Sequence, residues 1–417
     1  MYKCLICDAV FDESIKVCPV CGVGVENFEI VEEEKTEFSN DTEQMFMILG
    51  SGAAAVSAAE AIRARNKTCS ICILTEEEYL PYNRPSLTKG IKNNDGSDIL
   101  IHEKEWYDQN NIFILHNKKI TAISPSEHEV QVGDNERYHY DKLIYALGAQ
   151  SVVPDIPGNS LYGVFTIRSL EDINALASFP NADITHAAVI GGGVLGLETA
   201  WMLRMSGIDN VTVLESASRV MPRQLDAESA SYLVEKAGEN GVNIITSAAV
   251  TSIDGDEAVT GITLSDGTHI PARIVIISCG VRANIQIAKE CGIQTEKCVK
   301  VDEHCKTSID NIYACGDCAE FDGKSYALWS QALSMGEVAG ACAAGDSLKF
   351  EFASYPLIFH GFNISAYSVG DCMSNPDYDY TVEKRGDNTK IFRRDGKVCG
   401  VLTFGDPSAV SDIQIEM

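Results

Sequence analysis

One local pattern occurs twice in this 417-residue chain, and it limits the possible folds more than any other feature. Phe46-Met47-Ile48-Leu49 is a short apolar run, followed by Gly50-Ser51-Gly52-Ala53-Ala54-Ala55 and an alanine-rich helical stretch to Asn66. Ala187-Ala188-Val189-Ile190 leads in the same way into Gly191-Gly192-Gly193-Val194-Leu195-Gly196 and a helical stretch to Met205. A strand that runs through small residues into a helix lets backbone amides approach a pyrophosphate at the helix N-terminus. In each copy a second strand ends in an acid suited to ribose hydroxyls. These are Ser70 to Leu74 with Glu76 (Glu77 as the fallback), and Val211 to Leu214 with Glu215. The doubling predicts two dinucleotide-binding folds of the α/β class and two nucleotide cofactors.

The first 21 residues hold a different signal, Cys4-x-x-Cys7 and Cys18-x-x-Cys21. Two such turns bring four thiolates to one ion with tetrahedral geometry. Gly22 after the second pair and Asp8 after the first suit the positive φ that these turns favour. Residues 25–43 then carry Glu26, Glu29, Glu32, Glu33, Glu34, Glu37, Asp41 and Glu43 against Lys35. Such a run buries too little apolar surface to order itself and reads as a self-repelling tether. Disordered from Phe28 to Met45, it would span at most about 60 Å. Residues 349–417 alternate between strand-like runs and turns such as Arg394-Asp395-Gly396-Lys397, which predicts a small α+β domain.

Lys+Arg 33 against Asp+Glu 60 gives a net charge of −27, the wrong sign for nucleic acid or an anionic membrane surface. No stretch approaches the length of a membrane span, and Met1-Tyr2-Lys3-Cys4 begins no signal-peptide core, so a cytoplasmic protein is expected. In a reducing compartment the 15 cysteines point to thiols, metal ligands or redox groups before a disulfide framework. Cys69 and Cys72, three apart on a strand, face opposite sides and suit neither a bridge nor a shared metal.

Beyond the glycine loops, Leu80-Pro81-Tyr82-Asn83-Arg84-Pro85-Ser86-Leu87-Thr88-Lys89, Tyr145-Ala146-Leu147-Gly148-Ala149 and Asn311-Ile312-Tyr313-Ala314-Cys315-Gly316-Asp317 carry a family resemblance. Over about residues 45–345 the chain resembles the FAD-dependent pyridine nucleotide-disulfide oxidoreductase superfamily. It looks most like the NADH:rubredoxin reductase branch, and is also similar to the flavin half of assimilatory nitrite reductase. Tyr355-Pro356-Leu357-Ile358-Phe359 looks like that branch as well. Independently, residues 1–28 resemble a shortened rubredoxin through Cys18-Pro19-Val20-Cys21-Gly22-Val23-Gly24, Phe28, Tyr2 and Phe11. The stretch between the cysteine pairs is abbreviated and the usual tryptophan is missing. Short zinc ribbons use the same knuckles, so iron is the expected metal and zinc the alternative.

The resemblance implies two Rossmann-like, glutathione reductase-like domains between two small ones. Its parts are a metal-binding module (1–29), the acidic linker (30–44), an FAD-binding domain in two pieces (45–157 and 279–348), an NAD-binding domain (158–278) and the C-terminal domain (349–417). It implies that Gly50, Gly52 and Ala55 contact the FAD pyrophosphate, Glu76 the adenosine ribose and Arg84 a phosphate. Ala146, Gly148, Gly280 and Gly316 fall in cofactor-binding segments, and Asp317 would accept from the ribityl chain. Gly191, Gly193 and Gly196 would hold the NAD pyrophosphate, while Glu215 would bond the ribose hydroxyls and repel a 2′-phosphate, favouring NADH. The implied catalytic residues are Lys89 beside the flavin ring, Trp329 near it, and Glu198 at the nicotinamide ribose or flavin face. Positive charge at Lys89 would stabilise the reduced, anionic flavin.

Disulfide reductases of this superfamily place a cysteine pair after the first dinucleotide loop, and a single-cysteine branch places its thiol in the segment aligned with residues 85–89. Residues 53–68 and 85–89 contain no cysteine. The implied route is therefore NADH to FAD, then to iron on Cys4, Cys7, Cys18 and Cys21, and on to a rubredoxin-dependent acceptor of flavodiiron or rubrerythrin type. One alternative is flavin alone reducing free rubredoxin, ferredoxin or oxygen beside a structural zinc ribbon. Another is an NADH-responsive redox sensor or interaction protein. Monomer and homodimer both fit.

Overall fold

Met45–Leu49 lies at the centre of a five-stranded parallel sheet. The order is Ile312–Ala314, Lys142–Tyr145, Met45–Leu49, Ser70–Leu74, Ile112–Leu115. Phe46 to Leu49 and Ile71 to Leu74 are buried throughout, as strands covered on both faces require. The computed structural model describes residues 2–5, 10–11, 16, 18, 23–31, 36–89, 95–180, 184–353, 356–373, 380–386, 388–405, 407 and 410.

The helix Ala53–Arg65 follows the first loop and packs against Trp329–Ala343. The two approach closely because Gly336 and Gly340 sit under the carbonyls of Ala54 and Ala58, where a Cβ would come within 2.3 Å of either oxygen. The second dinucleotide fold repeats the plan. Its parallel order is Val164–Phe165, Ile274–Ile277, His186–Ile190, Asn210–Glu215, Val242–Thr246, with the helix Val194–Met205 after its loop. A three-stranded antiparallel sheet follows within each half: Ile120–Ser124, Glu129–Val132 and Glu136–His139 in one, Val250–Gly255, Val259–Leu264 and His269–Pro271 in the other.

The C-terminal strands form one antiparallel sheet in the order Leu357–Gly361, Ile364–Gly370, Lys397–Phe404, Thr389–Arg394, Tyr380–Arg385. Asp395 and Gly396 take φ of 52° and 78°, as a two-residue hairpin turn demands. Side chains along these strands alternate faces. Phe359, Ala366, Phe392 and Leu402 join the core of the second dinucleotide fold. Their neighbours Ile358, Tyr367, Ile391 and Val401 face the other way, into a cluster with Cys4, Cys18, Val23 and Phe28.

That cluster docks the N-terminal module, a small sheet in the order Val10–Phe11, Tyr2–Cys4, Phe28–Ile30. The Cys18 amide donates to the Val23 carbonyl at 2.8 Å. Cys7 and Cys21 lie outside the described residues, and among the described residues no group of three His, Cys, Asp or Glu is arranged around a metal position. The tether expected through residue 43 differs from the structure at its C-terminal end. Asn40 donates from its amide to the Arg65 carbonyl (2.8 Å) and from its side chain to the Ala344 carbonyl (2.9 Å). Asp41 accepts from the Lys67 amide at 2.7 Å, and the Thr42 carbonyl from Thr68 Oγ1 at 3.0 Å. Charge density alone pointed to disorder, but Arg65 and Ala344 end two helices whose orphan carbonyls offer bonding sites to a passing polar segment. Among the described residues no helix is long and apolar enough to cross a membrane.

Candidate functional site

A cleft of about 1400 Å³ opens where the first dinucleotide fold, the second and the C-terminal sheet meet. Gly50, Gly52, Glu76, Arg84, Lys89, Ala146, Gly148, Glu198, Gly316, Asp317 and Trp329 all line it, although they are scattered over 280 positions of sequence. Gly50 has φ of 101°, and a Cβ there would lie 2.3 Å from the Ala146 carbonyl oxygen. At Gly52, by contrast, a Cβ would meet nothing within 4 Å. The loop is thus fixed behind by a close backbone approach and open in front, at the N-terminus of Ala53–Arg65. That cradle fits the pyrophosphate of a dinucleotide, with backbone amides and the helix dipole turned toward it. The N-terminus of the Trp329–Ala343 helix borders the same space. Ala55 is fully buried within the first helix and stays out of the wall, whereas Ala53 and Ala54 line it. Gly280 also lies outside the wall, and Val281 takes that place.

The charges pair in ways the spacing did not reveal. Glu77 is bound to Arg84 and accepts from the Tyr82 hydroxyl at 2.6 Å. Arg84 also donates to Tyr82 (2.8 Å) and to the Arg168 carbonyl (2.9 Å), so its charge is already matched inside the protein. Glu76 is 69% exposed and faces only Lys119 at 3.8 Å, which leaves it open to a ribose. Asp317 accepts from Arg168 Nη2 at 2.7 Å, and Arg168 Nε donates to the Ala149 carbonyl at 3.0 Å. Arg168 is a cleft residue that the sequence reading missed. No local pattern marks it, because its partner lies 149 positions away on another fold.

Glu198 is buried between three elements. Its carboxylate accepts from the Thr88 hydroxyl at 2.8 Å and from the His360 amide at 3.2 Å. Burial pushes its pKa up, and attraction to Lys89 and the two hydrogen bonds offset only part of that rise. A buried carboxyl held by Thr88 and the His360 amide, with Lys89 in its electrostatic reach, can position that lysine at the cleft wall. Cys315 is the cysteine in the wall among the described residues; it is fully buried and its thiol is pushed well above its ordinary value by burial. Its neighbour Cys318 is likewise driven to about 12, so neither is a thiolate nucleophile.

The second glycine loop has the same architecture. Gly191 has φ of 118° and a Cβ there would lie 2.2 Å from the Ser278 carbonyl oxygen, while a Cβ at Gly196 would lie 2.0 Å from that of Gly191. Gly193 faces open space. Glu215 accepts from the Gly192 amide and from the Ala217 amide, both at 2.7 Å, which fixes its carboxylate at the strand end. Arg219 turns away to the carbonyls of Pro222 and Leu225. On the C-terminal sheet, Cys4 and Cys18 are 0% and 1% exposed and share one apolar cluster. Cys7 and Cys21, the other two cysteines of the set, lie outside the described residues.

Comparison with known proteins agrees with this geometry. The pyridine nucleotide-disulphide oxidoreductase family profile matches residues 45–336. An NADH-rubredoxin oxidoreductase of Clostridium acetobutylicum is 31% identical over 87% of this chain and 91% of its own length. An NADH oxidase of Methanocaldococcus jannaschii is 33% identical over 86% and 87%. The crystal structure of NADH:rubredoxin oxidoreductase from Clostridium acetobutylicum superposes with a TM-score of 0.75 at 30% identity, covering 90% of this chain and 95% of that one. The chain spans 46% of the length of a Bacillus subtilis nitrite reductase to which it is 31% identical. This chain belongs to the pyridine nucleotide-disulphide oxidoreductase family, as an FAD-dependent NAD(P)H oxidoreductase.

Proposed function

We propose that the protein takes hydride from NADH onto FAD and passes the electrons singly through an iron on Cys4, Cys7, Cys18 and Cys21 to a rubredoxin-dependent acceptor protein of flavodiiron or rubrerythrin type. One observation carries this reading. The flavin cleft offers no usable thiol among its described residues, while a cysteine module sits on the sheet that walls the same cleft. Bound FAD supplies the conversion from a two-electron to a one-electron carrier.

The chain's own residues do the positioning. The Gly50 and Gly191 loops seat the two pyrophosphates, and Asp317 presents a carboxylate to the ribityl hydroxyls. Lys89 brings positive charge to the ring, with Glu198 behind it and Trp329 at the cleft edge. Glu215, fixed at the strand end with Arg219 turned away, favours the free 2′-hydroxyl of NADH over the phosphate of NADPH.

Anaerobic titration with NADH should bleach the flavin bands first and a ferric-thiolate band afterwards. If Cys4→Ser reduces every external one-electron acceptor as fast as the parent protein, the module is off the path. The full burial of Cys4 and Cys18 in an apolar cluster also suits a structural zinc that staples the module, with the flavin alone serving the external acceptor. Metal analysis showing zinc without iron would select that second reading.

A further inference from the structure

We infer that the cysteine module is held on the C-terminal sheet as a stationary electron exit, with the strand Leu357–Gly361 as the wall between it and the flavin cleft. The inference rests on the function proposed above. A sheet with one wet face alternates apolar with polar residues. This sheet is apolar on both faces: Phe359, Phe392 and Leu402 turn to the second dinucleotide fold, while Tyr367, Ile391 and Val401 turn away from it and are still 0–3% exposed. Their cover is the module, through Cys4, Cys18, Val23 and Phe28, together with Val410 beyond the last strand. Ile358 belongs to both places, packing against that cluster and lining the flavin cleft beside Pro356 and Leu357. The cluster that holds the two thiols and the cleft therefore meet at Ile358.

The linker also limits how far the module could travel. Residues 40–42 are hydrogen-bonded to the first dinucleotide fold, and the nine steps from Val31 to Asn40 span at most about 32 Å. For each NADH oxidised to NAD⁺ and a proton, two electrons cross the Ile358 wall one at a time and reduce two molecules of an external one-electron acceptor.

The test uses the full chain with FAD and iron, mixed rapidly and anaerobically with NADH while the flavin and ferric-thiolate bands are followed separately. Ferric bleaching should proceed at a rate independent of protein concentration. Twenty Gly/Ser residues inserted between Val31 and Glu32 should change that rate less than twofold. A module that searches on its tether would instead slow about sixfold, because effective concentration falls near the −3/2 power of linker length. Val23→Asp, which places a charge in the interface, should slow ferric bleaching at least tenfold with flavin reduction unchanged. Slowing by the insertion overturns the proposal, as does an unchanged rate in Val23→Asp with its ferric band intact; if that variant loses the band, the insertion alone decides. Amide hydrogen exchange in Ile364–Gly370 and Lys397–Phe404 reads docking without the metal, and should accelerate at least tenfold in Val23→Asp. A parent protein with no ferric band would sink the proposed function and the electron route together; exchange protection that still depends on Val23 would then trace the failure to the metal and not to the docking.

Discussion

The two dinucleotide units start from the same pattern and finish in different surroundings. The helix of the first, Ala53–Arg65, is buried at 11 of 13 positions, sealed beneath Trp329–Ala343 with even Arg63 turned inward onto the carbonyls of Asn66, Cys69, Asn110 and Asn111. The helix of the second, Val194–Met205, is buried at 6 of 12, with Leu195 and Met205 exposed at 37% and 67%. A loop built into the interior suits a cofactor that stays, and a loop on an open helix suits one that comes and goes. The local sequence gives both units the same glycine loop, and the element packed behind each decides how much of its helix is buried.

The largest test of this contrast is Gly336→Val. Its side chain would be forced into the Ala54 carbonyl, where overpacking costs about 1–3 kcal/mol. Calorimetry should show a fall in Tm of about 1 °C per kcal/mol for a chain of this length, and the purified protein should lose flavin. Met205→Gln on the other helix should change stability by less than about 0.5 kcal/mol. An equal loss in both variants would break the comparison.

Next in size is Glu215→Ala. Removing the fixed carboxylate should raise the KM for NADH at least tenfold, about 1.4 kcal/mol of binding, with a smaller change in kcat and a higher ratio of NADPH to NADH activity. Glu76→Ala should weaken FAD retention and leave the KM for NADH alone, since Glu76 stands at the end of the first fold's second strand and Glu215 at that of the second. Smaller still is Gly193→Ala. Its methyl group enters open space, so Tm should stay constant while the KM for NADH rises a few-fold; steady-state kinetics beside a melting curve reads both.

Much of this layout was legible because the relevant signals are local. Apolar runs bounded by small residues located Ser70–Leu74 without error and His186–Ile190 to within one residue, and the acid at the end of Asn210–Glu215 followed from the same pattern. What stayed hidden depends on contacts between distant segments. Glu77 binding Arg84, and so leaving Glu76 to the cleft, is a choice between adjacent acids that only side-chain packing makes. Arg168 meets Asp317 because two separate folds close on each other. Residues 36–44 read as a tether because their charges were visible and the helix ends that bind them were not. The apolar character of both faces of Leu357–Gly361 and Ile364–Gly370 is present in the sequence, but which face each covering element takes is set by the assembled fold.

The smallest effect separates the units at one equivalent position, seven residues after the first glycine of each loop. In the first unit this is Ser57, whose hydroxyl donates to the Leu333 carbonyl at 2.8 Å. Ser57→Ala should cost about 1 kcal/mol at every pH, because nothing there titrates. In the second unit the position is Glu198, and burial holds its pKa above the ordinary 4.5. A carboxyl with a raised pKa binds its proton more tightly in the folded chain than in the unfolded one. Its contribution to stability is therefore full below about 4.5 and is lost as pH rises through the folded value. Glu198→Gln has no proton to lose, so its Tm relative to the parent should climb between pH 4 and pH 8, whatever the gap at pH 4. Ser57→Ala should show a constant gap over the same range. A constant gap for Glu198→Gln as well would mean that water reaches this carboxylate, and that the second helix is open on its inner face as well as its outer one.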